Sequence, residues 1–275
     1  MLLITDMVTA PVSVVIPCFQ CSATIARALE SVLLQTLPPY EIIVVDDFSD
    51  DGPLISRLVE SYRSSVQSSV RIVIERLTQN RGPGHARNVG WELASQEFVA
   101  FLDADDSWQP QKLATQVDFM RRYPGYSLTC HQTVLFNKSN GFSGLGISVK
   151  HTELSKYRML LQNSVATRTV MIRRAIPYRF ATTFMRSEDY YLWLTLVFAN
   201  EKAAKILLPM AVHYKPDFGA GGLSGDVTRM HMGVKDCLKQ LYCEKKISYS
   251  IFRVAVFIEQ VKFLRRLMRL FFKAQ

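Results

Sequence analysis

The chain has 275 residues, with 33 Lys and Arg against 24 Asp and Glu, for a net charge of +9. At 48% apolar and 21% charged residues it can fill a packed core, which excludes a disordered chain. The charge is uneven: residues 1–150 are net −3, 151–250 net +7 and 251–275 net +5, so a nucleic-acid partner drawn from the total charge is not expected.

The first strand is expected at Val12–Ile16, followed by Pro17 and a polar loop. Ser22–Gln35 has helical spacing, with Ile25, Ala28, Leu29, Val32 and Leu33 on one face, and Pro38-Pro39 ends it. Glu41–Val45 is a second strand, closed by Asp46-Asp47. A helix over 53–64, a strand at 70–75, a helix opened by Pro83 and running to about Ser95, and the strand Phe98–Leu102 follow. Four continuous apolar runs with helices between them imply a parallel sheet covered on both faces. Ligands bind at the carboxyl ends of such strands, where Asp46-Asp47 and Asp103-Ala104-Asp105-Asp106 fall.

Farther on, 112–122 reads as a helix, 127–136 as extended and 137–146 as a Gly/Ser/Asn-rich loop. Residues 190–200 form an apolar helix introduced by Ser187-Glu188-Asp189. Residues 216–226 form a glycine-rich loop, and the pattern is helical from Val227 to the end.

Carboxylates at Asp103 and Asp105, one residue apart at a strand end, can converge on a divalent cation of the Mg²⁺ or Mn²⁺ type. They can equally form a solvated turn, with Asp106 or Ser107 capping the next helix. Asp46-Asp47 can take hydrogen bonds from a ribose hydroxyl or a base, while DDFSDDG is also ordinary turn chemistry. Cys18-x-x-Cys21 has no second such pair, so zinc or redox chemistry is not expected. Five cysteines in a chain this long, and a start (MLLITDMVTAP) without a signal-peptide pattern, point to the cytoplasm. No apolar run approaches the ~20 residues that span a bilayer.

Together VSVVIPCFQ (12–20), EIIVVDDFSDDG (41–52), NRGPGHARNVG (80–90), FVAFLDADDSW (98–108) and SEDYYLWL (187–194) resemble the family 2 glycosyltransferases of GT-A fold, in order and spacing, over about residues 11–224. The resemblance implies an α/β fold. Its mostly parallel twisted sheet is flanked by helices, with a nucleotide-sugar half at 11–106, an acceptor-side half at 107–225 and a helical extension at 226–275. It implies inverting transfer of a sugar from a nucleotide diphosphate, a UDP-sugar by expectation, to a carbohydrate or lipid-linked acceptor in surface-polysaccharide or lipopolysaccharide synthesis.

By that likeness Phe19, following Pro17, would stack on the base and Asp47 would hydrogen-bond it, with Asp46 alongside. Arg87 and Asn88 would lie near the nucleotide. Asp103, with Ala104, would face the ribose, and Asp103 and Asp105 would hold a Mn²⁺ or Mg²⁺ ion on the diphosphate. Asp189 would be the general base. Cys18, Phe19 and Gln20 stand where the family usually has Thr or Ser and then Tyr-Asn, and Phe48 replaces a small residue. Lys215, beside Tyr214 and the loop 219–224, either neutralises phosphate or belongs to an ordinary surface loop. Asp189 and Glu188 can also serve the helix N-terminus electrostatically. A nucleotidyltransferase is the rival enzyme, but CFQCSAT is not a glycine-rich phosphate loop. A catalytically inactive membrane scaffold is the other rival.

In the tail, Lys262, Arg265, Arg266, Arg269 and Lys273 recur on one side of a helical pattern whose remainder is apolar. This is either a basic amphipathic helix on the inner face of the cytoplasmic membrane, making a peripheral contact through 251–275, or a core helix with a solvated basic face.

Overall fold

The computed structural model describes residues 9–65, 70–136, 149–183, 186–215 and 226–273. Four parallel strands form its first half: β1 (Ala10–Cys18), β2 (Pro39–Asp46), β3 (Arg71–Arg76) and β4 (Phe98–Phe101). Their order is β3-β2-β1-β4, with α1 (Ile25–Leu33), α2 (Gly52–Ser65) and α3 (Pro83–Leu93) as crossovers. Successive residues point to opposite faces, which explains the continuous apolar runs. Val12, Val14 and Ile16 join α1 and α2 in one core, while Val15 joins Trp91 of α3 in the other. Gly90 lets α3 close on β1, because a Cβ there would stand 2.4 Å from Val15 Cγ1.

The sheet becomes mixed beyond β4. It continues through β8 (Met171–Arg173), β6 (Tyr126–Leu135) and β9 (Lys202–His213) to β5 (Ser107–Trp108), and β7 (His151–Glu153) also pairs with β9. β8 is antiparallel to both β4 and β6, whereas β6 and β9 run parallel. The sequence pattern gives no element for β9, whose Pro209 argues against a central strand. The structure accommodates it where the register with β6 shifts, at the Gln132–Pro209 pair. α4 (Lys112–Arg122) covers the α1 face, and α5 (Lys156–Leu161) and α6 (Glu188–Phe198) cover the other. α6 is buried nearly all round, as its uniform apolarity requires.

The expected continuous C-terminal helix is two helices, α7 (Val227–Cys243) and α8 (Tyr249–Lys273). Lys245 takes a left-handed conformation (φ 57°) between them. Both pack on the α6 side through Leu238, Leu241 and Ala255. Among the described residues no helix is long and apolar enough to cross a membrane. The expected loops 137–146 and 219–224 lie outside the described residues.

Candidate active site

The carboxyl end of β4 is joined through α3 to the start of α6. Asp103 follows β4, and its Oδ1 accepts a 2.8 Å hydrogen bond from Arg87 of α3. The other arm of Arg87 donates to Glu188 Oε1, also at 2.8 Å. Arg87 and Glu188 have side chains only 8% exposed, so this is a buried charge pair. Burial disfavours the guanidinium, but the carboxylates of Asp103, Glu188 and Asp189 more than offset it and raise its pKa. Burial, reinforced by Asp189, raises the Glu188 carboxyl against the opposing pull of Arg87. Glu188 fits because Gly84 faces it: a Cβ there would lie 2.7 Å from Glu188 Cγ.

Asp189 follows in the first turn of α6 and is partly exposed. Thr167 Oγ1 donates to its Oδ2 at 2.9 Å, and the Tyr190 N–H donates to its Oδ1 at 2.6 Å. Both carboxylate oxygens are therefore oriented, and the side chain still reaches solvent.

Asp105 projects outward, its side chain 40% exposed, and pairs with Lys215 Nζ at 2.9 Å. The Arg27 guanidinium donates to the Asp105 carbonyl and lies 3.5 Å from the Tyr214 ring centroid. Tyr214 also meets Ser107 Oγ at 3.0 Å and stacks on Phe136. Asp106 is not the helix cap the sequence allows. It is buried against Arg168 at 3.3 Å, α4 starts only at Lys112, and burial pushes the Asp106 carboxyl up to about 8 against the pull of Arg168.

Other expected residues sit differently. Asp46 is fully buried: it accepts the Ser49 N–H at 3.0 Å and faces Arg76 Nε at 3.4 Å, so it holds the turn. Asn88 is spent on the backbone of Phe180, donating to its carbonyl and accepting its N–H. Asp47 accepts the N–H groups of Arg81 and Gly82 at 2.9 and 2.7 Å, and burial raises its carboxyl despite them. It thus anchors the loop before α3. Pro17 lies within β1 and Ala104 is buried. Phe19 and Phe48 are both 51% exposed, at the ends of the adjacent strands β1 and β2.

A divalent cation is tested by the donors present. Asp105 offers a hard, outward carboxylate already facing a cation, the Lys215 ammonium. Mg²⁺-type sites commonly use one or two carboxylates completed by substrate phosphates, so these residues fit such an ion. Asp103 would be the weaker ligand, because Arg87 holds one of its oxygens. Among the described residues no cluster of three acidic, His or Cys side chains forms a self-sufficient metal site.

A family model described as Glycosyl transferase family 2 matches residues 13–187. The chain belongs to glycosyltransferase family 2. It is therefore an enzyme, a glycosyltransferase. It is 29% identical over 193 residues to the E. coli UDP-Glc:alpha-D-GlcNAc-diphosphoundecaprenol beta-1,3-glucosyltransferase WfgD, covering 70% of this chain and 72% of the relative. Among solved structures, S. aureus TarS 1–349 in complex with UDP-GlcNAc superposes with a TM-score of 0.67 at 20% identity, over 93% of this chain and 72% of that one. The Pyrobaculum calidifontis mannosyltransferase PcManGT, in complex with GDP-Man and Mn²⁺, does so with a TM-score of 0.63 at 17% identity, over 92% and 70%. These last two likenesses establish the fold.

Thr167 and Arg27 are site residues that sequence reasoning does not single out, and Glu188 enters it only as a charge at the helix N-terminus, not as the partner of Arg87. Thr167 carries no sequence signal.

Proposed function

We propose that this glycosyltransferase moves a sugar, with inversion, from a UDP-sugar to a sugar carried on a polyprenyl diphosphate in surface-polysaccharide synthesis, working at the inner face of the cytoplasmic membrane. The observation that carries the reading is the reach of Arg87. One buried guanidinium joins Asp103, on the donor side, to the turn that bears Asp189. The likeness to WfgD supports the donor and acceptor classes.

In this mechanism Phe19 stacks on the base, and Asp47 keeps the loop before α3 beneath it. A cation on Asp105 would supply charge compensation for the diphosphate, and Lys215, which pairs with Asp105, would add to it. Asp189 accepts the proton of the acceptor hydroxyl. The acceptor oxygen then bonds to the anomeric carbon as the bond to the diphosphate oxygen breaks on the opposite face. The nucleoside diphosphate departs with that electron pair. Thr167 and the Tyr190 N–H fix the direction in which Asp189 takes the proton.

The test is Asp189→Asn, assayed for UDP release with lipid-linked acceptor and for UDP binding by thermal shift with Mn²⁺. Transfer should fall by about 10²–10⁴-fold with UDP binding retained. Near-normal turnover would remove Asp189 as the base, and no response to any uridine donor would remove the donor assignment.

A further inference from the structure

α8 turns part of its basic side to the domain and part of its apolar side outward. Of its cations, Lys262 donates to the carbonyl of Leu161, at the C-terminal end of α5, where the helix dipole favours positive charge. Arg266 pairs with Glu259, which is buried and also faces His231 Nδ1 at 3.3 Å. His231 in turn stacks on Phe263 with ring centroids 4.2 Å apart. Ala255 and Glu259 mark the face turned to the domain, and Ile251, Phe252 and Val256 pack beside them.

The opposite face is apolar. Val254, Phe257, Val261, Leu264 and Met268 follow one another in alternate steps of three and four residues, which places them in one stripe. Phe257 is 69% exposed, Val254 57%, Met268 53% and Leu264 51%. Apolar side chains scattered singly over a surface need no explanation, but a continuous stripe four turns long marks an interaction site.

We propose that this stripe docks the chain on an anionic lipid surface, with Arg253, Arg265 and Arg269 over the headgroups. The charges decide the occupant. All three arginines are exposed beside the stripe, and the single acidic residue of 251–275, Glu259, is buried. A second copy of α8 laid along the stripe would bring like charges together with no acid to answer them. An anionic bilayer complements both the apolar and the cationic parts. The inference deepens the membrane contact proposed above and rests on that reading for the acceptor.

The experiment uses the full chain with vesicles of phosphatidylcholine alone or with phosphatidylglycerol, read by co-sedimentation. Deleting α8 would uncover core, so the variant is Phe257→Glu with Leu264→Glu, two exposed positions outside the catalytic machinery. The wild type should sediment with the phosphatidylglycerol vesicles, less so as salt rises, and the variant should bind at least about tenfold more weakly. Its melting temperature and its thermal response to UDP with Mn²⁺ should be unchanged. A wild type that ignores anionic vesicles, or a variant that binds them equally, overturns the proposal. So does a wild-type dimer that the substitutions convert to monomer without vesicle binding, because a second copy would then cover the stripe. Vesicle binding with no response to any nucleotide sugar would instead count against the donor reading and leave the docking surface standing.

Discussion

Thr167 Oγ1 donates a 2.9 Å hydrogen bond to Asp189 Oδ2, from a short 3-10 turn (Thr167–Thr169) to the first turn of α6. On the proposed mechanism Thr167 is a positioning residue that would aim Asp189 as the base. Thr167→Val should lower kcat by about ten- to a hundredfold, the cost of a misdirected group, and leave the donor KM unchanged. Thr167→Ser, which restores the hydroxyl, should recover most of the rate. Steady-state kinetics on both variants checks this, and an equal loss in the two would assign Thr167 to plain structure.

The Arg87 bridge makes a stability prediction. Arg87→Met leaves Glu188 buried without its partner, at a cost of about 3–5 kcal/mol. Adding Glu188→Gln should return part of that stability, since the uncompensated carboxylate is then gone. Denaturant unfolding of the single and double variants measures the coupling.

Gly84 sets the room for Glu188. In Gly84→Ala the new methyl would meet Glu188 Cγ at 2.7 Å and the Ala181 carbonyl at 3.1 Å. The helix itself favours alanine, so the expected result is lost activity from a displaced Glu188, with a change in melting temperature of only a few degrees. Turnover and thermal melts on the same preparation separate the two effects.

A buried basic pair should govern acid stability. Lys112 Nζ is fully buried, lies 3.6 Å from the Trp108 ring centroid and has no hydrogen-bond partner, and burial lowers its pKa well below the ordinary 10.5. Burial, with Lys112 nearby, takes His131 down to about 3 from 6.5. Both pKa values are depressed on folding, so the unfolded chain binds more protons and stability falls as pH falls. For Lys112 the loss begins below about 10.5, and for His131 it runs from about 6.5 to 3. Lys112→Met should raise the melting temperature at neutral pH and more so in acid. His131→Gln should flatten the decline between pH 6.5 and 4. Melting curves across that range test both.

The parallel half of the fold was legible because β1, β2 and β4 are buried on two faces and so read as unbroken apolar runs, as in VSVVI and EIIVV. β9 was not, because a bulge hides its Pro209 from any simple pattern. The carboxylates were legible as chemistry but not as directions. Asp46 and Asp105 look alike in sequence, yet one turns under its own loop and the other out to Lys215. The tail showed the same limit from another side. Its amphipathic period was plain, but which face meets the domain depended on Glu259 and on the carbonyl of Leu161, and neither contact is visible in a helical period.

Phe19 and Phe48 stand half exposed on a frame whose neighbouring acids, Asp46 and Asp47, are occupied with backbone amides. On the proposed reading, holding the loops and stacking on the nucleobase are thus separate jobs given to separate side chains. A lineage could exchange either aromatic ring to suit a different nucleotide while its scaffold stayed intact. In such an arrangement nucleotide preference drifts more readily than architecture, and relatives with one fold can come to use different nucleotides.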